Sequence, residues 1–67
     1  MKRVSGKDLA KVLAKRGWVL VRTTGAHRRY AKQDFAPVTV FVHGTKILKP
    51  KTQQNIMRHT ELTDADL

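Results

Sequence analysis

Histidine is the side-chain type whose ordinary pKa lies near neutrality, so proton-transfer chemistry at neutral pH starts with it. The chain has three, His27, His43 and His59. His27 stands in Thr24-Gly25-Ala26-His27-Arg28-Arg29-Tyr30, a glycine turn followed by a histidine, two arginines and an aromatic. Gly25 lets the chain reverse tightly and so fixes where the histidine sits. The arginines would hold a polyanion beside it. Proton transfer next to a held phosphate is what cleavage of RNA through its own 2′-hydroxyl requires. A plainer reading of the same residues stands beside this one. Thr-Gly-Ala is also an ordinary hairpin loop, and a lone histidine in a basic hairpin is often a surface residue. These seven residues alone leave both open.

Charge bears on the partner. Fourteen Lys and Arg against five Asp and Glu give a net charge of +9. Glu61, Asp64 and Asp66 fall in the last seven residues, so residues 1–60 carry fourteen cations against two anions, or +12. Such a balance points to a polyanionic partner, nucleic acid or an acidic protein. At 67 residues the chain holds one domain, spanning residues 1–67. Chains this small bury only about 60% of their unfolded surface. There is no cysteine, which removes disulfides and thiolate-bound zinc and suits a reducing cytoplasm. The longest apolar run, Trp18 to Val21, is too short to cross a bilayer. Met1-Lys2-Arg3 is basic but no apolar stretch follows, so no signal peptide and no membrane partner are expected.

The elements that must position the histidines can be read in order. Ser5-Gly6-Lys7-Asp8 has capping-box spacing, with Val4 and Leu9 placed for a hydrophobic staple. Leu9, Val12 and Leu13 form one stripe, and Gly17 is a C′ residue that lets Trp18 fold back on Leu13. This predicts a helix from about Gly6 to Arg16, with Lys7, Lys11 and Lys15 on a solvated face. Trp18–Thr23, His27–Lys32 and Val38–Val42 predict three strands, separated by Thr24-Gly25-Ala26 and by Gln33–Pro37. Ile47 and Leu48 are expected to tuck under the sheet edge. Pro50 opens a second helix running to about His59, with Ile56 and Met57 as its apolar contacts. Leu62–Leu67 repeats the staple-and-cap pattern of a last helical turn. The result is an α+β fold of two layers, α-β-β-β-α: a three-stranded antiparallel meander with both helices on one face and the other face open.

The short loop between the second and third strands suggests that Lys32 faces Val38. That register puts His27 directly opposite His43, on the open face with Arg29, Ala31, Thr39 and Phe41. The valines and Tyr30 then face the helices. His59 sits at a helix C-terminus, where a cation complements the dipole. The histidine spacing fits no zinc motif, and no carboxylate completes one, so no metal and no other cofactor is expected.

With these features in place, the chain resembles the HicA family of small mRNA interferase toxins from type II toxin–antitoxin pairs. Ser5-Gly6-Lys7-Asp8-Leu9, Leu13 and Gly17-Trp18 are similar to the family's opening helix. Gly25-Ala26-His27 with Tyr30 is similar to its Gly-Ser-His-x-x-aromatic motif. Val38-Thr39-Val40 through Val42-His43-Gly44 resembles its third strand, and Leu48-Lys49 with Thr52 and Ile56 its second helix. Two positions depart: Ala26 stands for the usual serine, and Phe41 where proline is frequent. The resemblance implies a fold like a double-stranded-RNA-binding domain, ribonuclease activity on mRNA, and neutralisation by a HicB-type antitoxin. It places the catalytic histidine at His27. On this reading His43 is a second proton-transfer group, Gly25 forms the turn, and Arg28, Arg29, Lys46 and Lys49 bind RNA. The alternative is a non-catalytic RNA-binding module of double-stranded-RNA-binding type.

Overall fold

The local signals at the helix ends act as their chemistry requires. In the computed structural model, which describes residues 1–67, α1 spans Gly6–Lys15 and the Ser5 hydroxyl accepts the Asp8 N–H at 3.1 Å. Gly17, at φ +91°, closes α1 in a Schellman motif: its N–H donates to Ala14 O at 3.2 Å and the Trp18 N–H to Leu13 O at 3.0 Å. Trp18 is thereby turned into the core beside Leu13. The strands are β1 (Val19–Thr24), β2 (His27–Ala31) and β3 (Val38–Phe41), paired antiparallel in the order β1-β2-β3. Pro50 opens α2 (Pro50–Thr60), and a 3-10 turn at Asp64–Asp66 ends the chain behind a Thr63 capping box.

Strand alternation decides which side chains are covered. Tyr30, Val38 and Val40 point toward the helices and are buried with Leu9, Leu13, Ile56 and Met57 in one core. His27, Arg29 and Thr39 point the other way and are exposed. The expected α-β-β-β-α order and open sheet face are therefore present.

The register is displaced from the expected one. His27 pairs with Phe41, Arg29 with Thr39 and Tyr30 with Val38. The cause lies in the loop. Asp34 adopts φ +71°, the Phe35 N–H bonds back to Lys32 O at 3.1 Å, and the Phe35 ring packs on Trp18 at 5.2 Å. Docking Phe35 this way takes Lys32 and Pro37 out of the ladder. A two-residue displacement leaves every side chain on its expected face but moves His43 past the strand end.

The segment before α2 also differs from expectation. Leu48 is buried, but Ile47 is half exposed and forms an antiparallel bridge with Ser5. The Leu48 N–H donates to Val4 O at 3.0 Å, so the N-terminal residues and residues 47–48 form a short second pairing outside the sheet. Gln53 of α2, fully buried, joins them. Its Oε1 accepts the Val4 N–H at 3.1 Å and its Nε2 donates to Lys2 O at 2.5 Å. α1 meets β3 almost backbone to backbone: a Cβ on Gly6 would collide with the Phe41 carbonyl, so no other residue fits there without displacing the strand.

Replacing Gln53 by Leu keeps much of the volume but strands the buried Val4 N–H. A stability loss of about 1–3 kcal/mol is expected, measured as a fall in the urea midpoint with an unchanged m-value.

Candidate functional site

The β1–β2 turn that presents His27 is closed by two residues, Gly25 and Ala26, with Thr24 paired to His27. Gly25 has φ +57° and Ala26 does not share the positive sign, the pattern of a type II′ hairpin, which requires glycine at the first position. The Ala26 carbonyl accepts the Val42 N–H at 2.7 Å, tying the turn to the chain beyond β3. His27 is thus fixed between two strands, with its ring free to solvent.

Phe41 lies opposite and supports it. The two rings meet edge-on, 5.5 Å between centroids and 64° between planes. Phe41 also stacks with His43 at 6.0 Å and 20°, and Lys46 Nζ sits 5.9 Å from its centroid. The turn that brings Lys46 back has Gly44 at φ +56° and a hydrogen bond from the Lys46 N–H to His43 O at 3.0 Å. The expected direct opposition of His27 and His43 is therefore replaced by an opposition of His27 and Phe41, with His43 stacked on the same Phe41 ring.

Two hollows meet at His27. The larger, about 320 Å³, runs from His27 and Phe41 past Lys46, Ile47 and Leu48 to Lys49 and Thr52 at the start of α2. That helix end has no side-chain cap and no acidic residue in its first turn, so its dipole adds positive potential to the two lysines. The smaller, about 150 Å³, lies on the sheet and is wholly polar: Arg22, Thr24, His27, Arg29 and Thr39. Arg29 Nη1 donates to Thr39 Oγ1 at 3.5 Å, and no Asp or Glu lines either hollow.

Two of the five acids are paired elsewhere. Asp66 is paired with Arg16. Asp64 accepts the Lys2 N–H at 3.2 Å and lies 3.7 Å from the N-terminal ammonium. Arg22 and Arg29, by contrast, are direct cross-strand partners. Like charges so placed repel, and an anion between them would relieve that repulsion.

Of the residues singled out by sequence, His27, Lys46 and Lys49 are gathered around one hollow, and Arg29 joins His27 in the other. Arg28 does not converge with them. It pairs with Thr23 and Val40 on the helix-facing side of the sheet and is half buried. His59 lines neither hollow, and its Nδ1 donates to Asn55 O at 2.7 Å within α2. Arg22, Thr24, Thr39, Phe41, Ile47, Leu48 and Thr52 complete the two linings without having stood out as site residues in the sequence. Counting back by twos from His27 through its partner Thr24 finds Arg22, but a bulge between Leu20 and Arg22 breaks that count when it starts from Trp18.

The chain matches a family model, the HicA toxin of bacterial toxin–antitoxin systems, over residues 6–62. No curated protein and no solved structure matches it.

The two faces make a measurable distinction. Arg22→Thr or Arg29→Thr should weaken binding of a single-stranded oligonucleotide and flatten its salt dependence by about 0.7 in slope for each phosphate no longer neutralised. Arg22→Thr should also slightly stabilise the fold by ending the arginine–arginine repulsion. Arg28→Thr should leave the slope nearly unchanged. Titrations at several salt concentrations, with a thermal melt of each variant, read all three.

Proposed function

The chain belongs to the HicA toxin family of bacterial toxin–antitoxin systems, and from that premise we propose that it is an endoribonuclease whose proton-transfer group is His27. The family implies an antitoxin partner. No helix is long and apolar enough to cross a membrane.

The observation that carries the proposal is the place of His27, exposed at the junction of two cationic hollows that contain no carboxylate. An RNA strand crossing the open face meets Arg22 and Arg29 on one side of His27 and Lys46 and Lys49 on the other. A phosphate held between them lies beside the imidazole. The 2′-oxygen of the preceding nucleotide attacks that phosphorus, the P–O5′ bond breaks, and the products are a 2′,3′-cyclic phosphate and a 5′-hydroxyl. His27 either takes the proton from the 2′-hydroxyl or supplies one to the departing O5′. Cations around the phosphate stabilise the charge that builds in the transition state. The reaction as proposed uses these side chains alone.

His43 has a secondary part on this geometry. It stacks on the Phe41 ring, which Lys46 also approaches, and these two groups are assigned the opposite proton transfer. Neutralisation is by a HicB-type antitoxin that covers the open face and presents acidic residues to Arg22, Arg29, Lys46 and Lys49.

His27→Ala should lower RNA cleavage by about 10²–10⁴-fold while leaving the fold and oligonucleotide affinity nearly intact. His43→Ala should slow the reaction less. Cleavage is followed on single-stranded RNA in EDTA, with circular dichroism as the folding check. A folded His27→Ala protein that cuts at the wild-type rate would remove His27 as the proton-transfer group, whereas a wild-type protein that leaves RNA intact would return the chain to the reading of a binding module without chemistry.

A further inference from the structure

The larger hollow is more than a phosphate cradle, because part of its lining is apolar: Phe41, Ile47 and Leu48. Ile47 is 50% exposed, although its neighbour Leu48 is in the core and its own backbone is fixed by the bridge to Ser5. It faces the same hollow as the Phe41 ring, with Thr52 and Lys49 at the rim. Resting on the ribonuclease reading above, we propose that this hollow is a nucleobase site, which holds one unpaired base of the RNA strand beside the phosphate at His27.

The chemistry of the lining selects that occupant. A nucleobase has flat apolar faces and a polar edge, matching an aromatic and an aliphatic wall with a hydroxyl and an ammonium at the mouth. Lys46, Lys49 and the uncapped start of α2 repel a cationic side chain and draw an anionic strand. A volume of about 320 Å³ is at the small end of ligand sites, enough for one base and not for a stacked run. His27 lines both this hollow and the polar one on the sheet, so the strand passes from base site to phosphate site without a gap. A base inside a duplex is covered on both faces and cannot enter. The site therefore makes unpaired RNA the substrate, and Phe41, Ile47 and Thr52 the residues that choose the nucleotide next to the cut.

The test uses a short, fully 2′-O-methylated RNA, which cannot be cleaved, carrying one 2-aminopurine whose fluorescence falls when it stacks. Wild-type protein should quench it strongly. Phe41→Leu and, independently, Ile47→Gln should weaken binding by up to about tenfold and reduce the quench, with anisotropy reporting the binding that remains. Ile47 lies outside the core, so its variant answers even where Phe41→Leu disturbs folding. Binding with unchanged 2-aminopurine fluorescence, a quench indifferent to both variants, or no binding at all overturns the base site. The first of these would leave the hollow to another occupant, such as an antitoxin side chain. Cleavage of unmodified RNA by wild type and His27→Ala is scored separately. Quenching without cleavage keeps the base site and defeats the ribonuclease reading, and cleavage without quenching does the reverse.

Discussion

The buried amide of Gln53 is the interaction on which the geometry around His27 most depends. A side-chain amide in an apolar core is tolerable only if its donors and acceptor are satisfied. Here the satisfaction comes from the backbone of Lys2 and Val4, distant in sequence. The same N-terminal segment pairs with residues 47–48, so one side chain fixes three pieces: the N-terminus, the approach to α2, and α2 itself. Two of those pieces form the far wall of the larger hollow. Their position relative to the sheet is set by hydrogen bonds with strict geometry, where apolar packing alone would allow sliding.

The distribution of charge follows the same division of labour. A net charge of +9 on 67 residues works against compaction. The chain offsets this at one end, where Asp64 and Asp66 lie against Met1, Lys2 and Arg16. The open face receives no such relief. Arg22 and Arg29 oppose each other directly, and the lysines beside α2 add to the positive end of its dipole. A domain with so small a core retains that repulsion at some cost in stability, which an anionic strand lying across the face would remove.

How far the sequence can be read depends on the range of the interaction concerned. Caps and turns are local, so Ser5, Gly17, Gly25 and Pro50 mark the elements within a residue or two. Alternation is local as well, which is why His27, Arg29, Thr39 and Phe41 fall on the expected face although the register is displaced. The displacement comes from Phe35, whose docking on Trp18 joins parts of the chain that no short window relates. The placement of Ile47 and the pairing of residues 47–48 with Val4 and Ser5 escape a sequence reading for the same reason. Arg22 is hidden by a bulge that changes the phase of alternation within a single strand. Arg28 departs from expectation in a different way: its neighbour Arg29 belongs to the site, but adjacent residues in a strand point to opposite faces.

The register displacement bears directly on how the site works. With the histidines opposite each other, one could have touched the other. Instead the residue beneath His27 is Phe41, which is held from below: its carbonyl lies so close to Gly6 that α1 and the end of β3 act as one body. The imidazole rests edge-on against the ring of this residue, an aromatic contact that favours one orientation without a hydrogen-bonding carboxylate behind it. A carboxylate in that place would have set the ring, but it would also have lowered the positive potential that draws the strand. An aromatic support leaves the potential intact and extends an apolar surface into the neighbouring hollow. The residue at position 41 therefore ties together the orientation of His27, the charge of the face and the shape of the hollow beside it.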